Sequence, residues 1–178
     1  MKFFAVELSY TDLKVPRLKK WEERIKFQKL FDPMVFPKDE KVIMRVKSGD
    51  IFCPDMLTEP VFMVSNMLKE LLEKFEPNLE WKTIILNGSN VNAKMPLYYV
   101  PKLFEIMVDK KLVGSKAEWC INKELILKRD SVGERAIFRL QGKLQSYVVM
   151  RLDLVEMLLR REILQDGLTE VTIVDSCK

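Results

Sequence analysis

Acidic, hydroxyl and thiol side chains are the groups in this chain able to support reaction chemistry. Asp50 and Asp55 lie five residues apart, and Asp109 precedes Ser115 across two lysines. A carboxylate pair acts as acid and base when a cleft separates its two pKa values or a metal orients it, and spacing alone establishes neither. For Asp50 and Asp55 the turn preference of Asp points to solvated loop residues. The chain has no histidine, which excludes Ser-His-Asp and Cys-His nucleophiles and histidine-ligated zinc. Cys53, Cys120 and Cys177 form no CxxC pair, and bridging any two would leave an odd thiol, a pattern that fits a reducing cytoplasm. With six glycines and neither GxGxxG nor GxxxxGK[ST], no phosphate-cradling loop is expected. The expectation is a protein without catalytic residues, cofactor or metal site.

The elements that would carry any site follow from periodicity. Residues 136–164 form the clearest stretch: Ile137, Phe138, Arg139 and Leu140 read as a strand, Gly142 breaks the run, and Tyr147, Val148, Val149 and Met150 resume it. A helix over 153–163 is expected next. Asp153 would cap it, Glu156 would give a partial capping box, and Leu154, Val155, Met157, Leu158 and Leu159 would supply the apolar face. Gly167 would end the excursion before a last strand over 171–174.

Upstream, 2–8 reads as a first strand, 16–29 as a helix with Leu18, Trp21 and Ile25 on one side, and 41–47 as a strand. An irregular surface segment is expected between Pro54 and Pro60. A helix over 65–75, capped by Ser65 or Asn66, carries a continuous apolar stripe of Met67, Leu68, Leu71, Leu72 and Phe75, with Glu70 and Lys74 at a favourable ion-pair spacing. Residues 81–86 read as a strand and 97–100 as a short one. Residues 103–108 fit a helical turn or a strand, 119–127 a strand, and 131–135 a polar turn. Residues 62–74 also align with 148–160 at an offset of 86, so two similar helices would pack on one sheet. Amphipathic helices resemble one another by necessity, which is the competing account.

A chain of 178 residues, 48% hydrophobic and 31% charged, suits one domain with a substantial core. No apolar run approaches the roughly 20 residues that cross a bilayer, and the apolar run at the N-terminus is too short for a secretory signal. Strands interrupted by two or three helices predict an α+β domain with a mixed or largely antiparallel sheet and two principal packed helices. The net charge of +4 sits entirely in residues 1–50, which hold 12 Lys+Arg against 8 Asp+Glu, the remainder holding 18 of each. That excess falls short of a nucleic-acid-binding stripe. It can steer an acidic partner, and Lys19, Lys20 and Arg24 interleaved with Trp21 are the candidate partner-binding residues, alongside the alternative that Trp21 docks on the core.

The stretch from Ile137 to Val174 is similar to the C-terminal half of a bacterial family of immunity proteins of polymorphic toxin systems, immunity-protein family eleven. The similarity rests on Ile137-Phe138-Arg139-Leu140, on the second strand running into a helix, and on Gly167-Leu168-Thr169 before the final strand. Pro60 to Ser65 leading into a helix, Tyr98-Tyr99, and Asp109 with Ser115 fall in the family's order, so the resemblance covers roughly 50–175. At Arg151 the chain departs from the small hydroxyl residue expected before the helix. The resemblance implies a bacterial cytoplasmic protein, not an enzyme, that binds a cognate protein toxin and neutralises it by occlusion. The alternatives are a carboxylate-dependent enzyme or small-ligand binder, and a structural assembly module. Neither a nucleic-acid nor a membrane partner is expected, and the oligomeric state is left open.

Overall fold

The computed structural model describes residues 1–7, 31, 41–45, 53–58, 61–87, 96–107, 125–141, 146–164 and 167–174. They form an α+β fold with two mixed sheets, and the chain divides into two compact units. One comprises Met1–Leu8 with Leu103–Lys178, the other Ser9–Lys102. The helix expected over 16–29, the strand-like residues 119–124, and Asp50, Asp109, Ser115, Cys120 and Cys177 lie outside the described residues.

The Ser9–Lys102 unit contains β2 (Val42–Arg45), β3 (Met56–Leu57), β4 (Met63–Val64), α1 (Asn66–Phe75), β5 (Trp81–Asn87) and β6 (Leu97–Pro101), in a sheet of order β2-β5-β6-β4-β3. Only β2–β5 is parallel. The segment between Pro54 and Pro60, expected at the surface, instead supplies β3, with Met56 and Leu57 buried. Both side chains are apolar, and the two-residue strand is buried although it forms the edge of the sheet. Ser65 caps α1, its hydroxyl accepting from Leu68 N at 3.3 Å. Of the expected stripe, Leu68, Leu71 and Leu72 are buried, as the i, i+3, i+4 spacing requires, while Phe75 is half-buried and Met67 is exposed, lying off that face. The anticipated Glu70–Lys74 pair gives way to two others: Asn66 Nδ2 donates to Glu70 at 2.6 Å, and Lys69 pairs with Glu73 at 2.6 Å.

The other unit contains β1 (Phe3–Val6), β7 (Glu105–Met107), β8 (Leu125–Lys128), α2 (Arg129–Val132), β9 (Ile137–Gln141), β10 (Ser146–Arg151), α3 (Leu152–Arg160) and β11 (Leu168–Val174). Its sheet runs β7-β9-β10-β1-β11-β8, parallel at the two outer pairs and antiparallel within. Residues 103–108, open between helix and strand, therefore provide the strand β7. On one face Phe3, Ala5, Ile106, Leu127, Val132, Phe138, Leu140, Val149 and Val171 make a core, with Phe3 and Phe138 edge-on at 5.7 Å. After α2, Gly133 takes φ +60°, a left-handed turn conformation that costs glycine little.

Helix α3 corrects three expectations. It starts at Leu152, with Arg151 at the N-cap position and no side-chain cap. Asp153 lies inside the first turn, gripped by Arg151 Nε and Nη2 at 2.8 Å each while accepting from Leu154 N at 3.0 Å. Glu156 reaches forward to Arg160 at 3.7 Å and closes no capping box. The arginine that precedes the helix thus anchors the carboxylate that was expected to cap it. Leu154, Val155 and Leu158 are buried, but Leu159 is 39% exposed, because a helix of nine residues turns its eighth position away from the sheet. The two helices pack on separate sheets, α1 against β4 and β6, α3 against β1 and β10, and not on a common one. No helix among the described residues is long and apolar enough to cross a membrane.

Candidate functional site

Strand alternation builds the most exposed apolar surface among the described residues of the Ser9–Lys102 unit. In β5 and β6, Lys82, Ile84, Leu86, Tyr98 and Val100 point to a buried face. Trp81, Thr83, Ile85, Leu97 and Tyr99 therefore share the opposite, more open one. The registers Ile43↔Ile85 and Ile85↔Leu97 align three aliphatic side chains across β2, β5 and β6. Ile43 is 64% and Leu97 45% exposed.

One turn of α1 brings a cation to this face. Lys69 Nζ lies 5.5 Å from the ring centroids of both Trp81 and Tyr99, within cation–π range of each. Its other contact is Glu73, so the ammonium is held from two sides. The Trp81 Nε1–H is buried and finds no acceptor among the described residues, although Trp81 as a whole is only half-buried. Lys102 pairs with Glu80 at 3.2 Å on an exposed stretch. An aliphatic row, two aromatic rings and an ion pair in one sheet face are the ingredients of a protein-binding surface, in which apolar anchors are desolvated and charges set orientation.

The other unit presents a different cluster. Arg135 stacks on half-exposed Phe104 at 3.7 Å, while Arg139 is buried and reaches Glu105 at 3.8 Å. Burial brings the Arg139 pKa down to about 10, against the opposing pull of Glu105, so the guanidinium stays charged at neutral pH. This is a structural ion pair at the β7–β9 junction. Met107 is exposed beside it.

The reactive groups weighed from sequence are not assembled into a site by what is described. Cys53 is exposed as a residue, but partial burial of its thiol raises the pKa, opposed by a hydrogen bond with Tyr98; the protonated form is a poor nucleophile. The Tyr98 hydroxyl donates to Pro54 O at 2.6 Å. Asp55 contributes its backbone carbonyl, which accepts from Ser65 N at 2.8 Å. No group of three or more Cys, Asp or Glu side chains able to hold a metal occurs among the described residues. Lys19, Lys20, Trp21 and Arg24 lie outside the described residues. The face of Ile43, Ile85, Leu97 and Tyr99 escaped sequence reading, although the alternation of Trp81, Thr83 and Ile85 against Lys82, Ile84 and Leu86 carried its signal.

Compared with protein-family models, curated proteins and solved structures, the chain matches none.

Proposed function

We propose that this protein is a bacterial, cytoplasmic immunity protein that binds a cognate toxin and neutralises it by occlusion. The observation that supports this reading is the open sheet face of Ile43, Ile85 and Leu97, bordered by Tyr99, Trp81 and the Lys69–Glu73 pair. Exposed aliphatic and aromatic side chains in contiguous rows are what a partner surface needs for desolvated anchors. The resemblance of 50–175 to immunity-protein family eleven supplies the partner class, and the N-terminal charge excess would steer an acidic toxin domain.

The test is coexpression with the toxin domain encoded beside the gene, scoring growth rescue and copurification. Ile43→Asp and Leu97→Asp each place a charge in the proposed contact without touching a buried position. The expected result is wild-type thermal stability with at least a tenfold loss of toxin affinity, about 1.4 kcal/mol. Undiminished binding by both folded variants removes this face from the interface. A neighbouring gene without toxin activity, or failure of the parent protein to protect, overturns the functional reading itself.

A further inference from the structure

Five consecutive strands of one sheet repeat in the other, which carries β7 in addition. Read from one edge, β2-β5-β6-β4-β3 and β8-β11-β1-β10-β9 pair in the same sequence of directions, one parallel junction followed by three antiparallel ones. Their registers also coincide. Val42–Ile84–Tyr98 in one is Leu125–Val171–Phe3 in the other, and Tyr99–Val64–Met56 is Phe4–Met150–Ile137. Burial follows: Tyr98 and Phe3, Val100 and Ala5, Ile84 and Val171, Val64 and Met150 are all buried.

The helices agree to the residue. N-cap Ser65 corresponds to N-cap Arg151, first residue Asn66 to Leu152, and fully buried Leu68 and Leu72 to fully buried Leu154 and Leu158, each 86 positions on. Amphipathic helices resemble one another freely, but a shared helical stripe does not impose a common register on five strands. In each unit the helix joins two strands that flank a third, so strand, helix and strand form a split crossover around a central antiparallel strand.

That central strand is where the two differ. In one unit it is β6, reached from β5 through the nine residues 88–96. In the other it is β1, from the opposite end of the chain. We infer that the chain holds one strand–helix–strand unit twice, and that Phe3–Val6 is the closing strand of the second copy, transposed to the front. Without it β10 and β11 would face each other across unpaired backbone edges.

Transposition is tested by reversing it. A chain starting at Ser9 behind an initiating Met, with residues 1–8 moved behind Lys178, restores the order seen in the first unit. Lys2 takes the register position of Leu97, the first residue of β6, so residues 175–178 and Met1 supply five of the nine connecting residues and a four-residue Gly/Ser linker completes the loop; a second version carries a ten-residue linker, in case the shorter one is strained. Both are compared with the parent and with a chain lacking residues 1–8. The expected result is a transposed protein that melts cooperatively within about 5 °C of the parent and protects the amides of residues 3–6 from hydrogen exchange, while the deletion loses cooperative melting. Two transposed chains no better than the deletion overturn the inference, as does a deletion that melts like the parent.

Discussion

Two adjacent leucines of α3 allow the packing of the second helix to be measured. Leu158 is fully buried and Leu159 is 39% exposed, so the same substitution at neighbouring positions separates burial from helix propensity. Truncating Leu158 to Ala removes three carbon groups, at about 0.8 kcal/mol each. To this is added a cavity contribution of about 24 cal/mol per Å³ of residual void, which carries buried Leu→Ala changes into a range of about 2–5 kcal/mol. A site against a strand-backed helix collapses little, and about 3–4 kcal/mol is expected for Leu158→Ala. Leu159→Ala gains slightly in helix propensity and should stay within about 0.5 kcal/mol of the parent. Urea unfolding followed by far-UV circular dichroism gives both values from the midpoint shift, provided the slope is unchanged. A Leu158→Ala protein within about 0.5 kcal/mol of the parent, or a Leu159→Ala protein as destabilised as Leu158→Ala, would refute the placement of this face.

Three further expectations concern single groups. Ser65→Ala removes the hydroxyl that caps α1, and because the bond is 3.3 Å long the cost should fall at the lower end of the capping range, about 0.5–1 kcal/mol, read by the same denaturation. The Arg151 guanidinium holds the Asp153 pKa below its ordinary value of 3.8, aided by Leu154 N and opposed by burial. A depressed folded pKa contributes stability that is present above the unfolded pKa and lost as pH falls through the folded one. Asp153→Asn should therefore trail the parent at pH 7 by less than about 1 kcal/mol, as befits an exposed pair, and the gap should close below pH 3.8; a gap that widens in acid contradicts the assignment. For toxin binding, Lys19→Glu/Lys20→Glu should slow association, chiefly at low salt, and Trp21→Ala should speed dissociation. Unchanged kinetics in stopped-flow or surface-plasmon measurements at every salt concentration would make residues 16–29 scaffold.

What could be read from sequence was local. Alternation identified β1 and β2, strand-forming residues and turn signals identified β5 and β10, and the apolar stripe through Leu68, Leu71 and Leu72 identified α1, with Ser65 or Asn66 before it as the cap, because these signals reside in neighbouring residues. Asp153 misled for the same reason: an acidic residue before an apolar run has the form of a cap, and only the folded position of Arg151 shows where its carboxylate goes. Met56 and Leu57 were hidden by flanking prolines, their burial depending on pairing with Val64 and Met63. The separation into two sheets was likewise invisible, since strand partners are chosen by three-dimensional context. The aliphatic row of Ile43, Ile85 and Leu97 needed a parallel pairing between residues 42 positions apart, which no window along the chain reveals.

The position of β1 also sets an order of events during synthesis. Phe3 precedes its register partner Val171 by 168 residues; at about 5–20 residues per second it waits on the order of ten to thirty seconds. During that interval every strand of the Ser9–Lys102 unit has emerged, and β6 follows its partners β4 and β5 directly, so this unit can close first. An apolar Phe-Phe-Ala-Val segment meanwhile remains an unmatched strand on the nascent chain, a template for misplaced pairing. Such long-range closure makes this sheet slow to complete by topology, and places its exposure to aggregation in the interval before Leu168–Val174 is made.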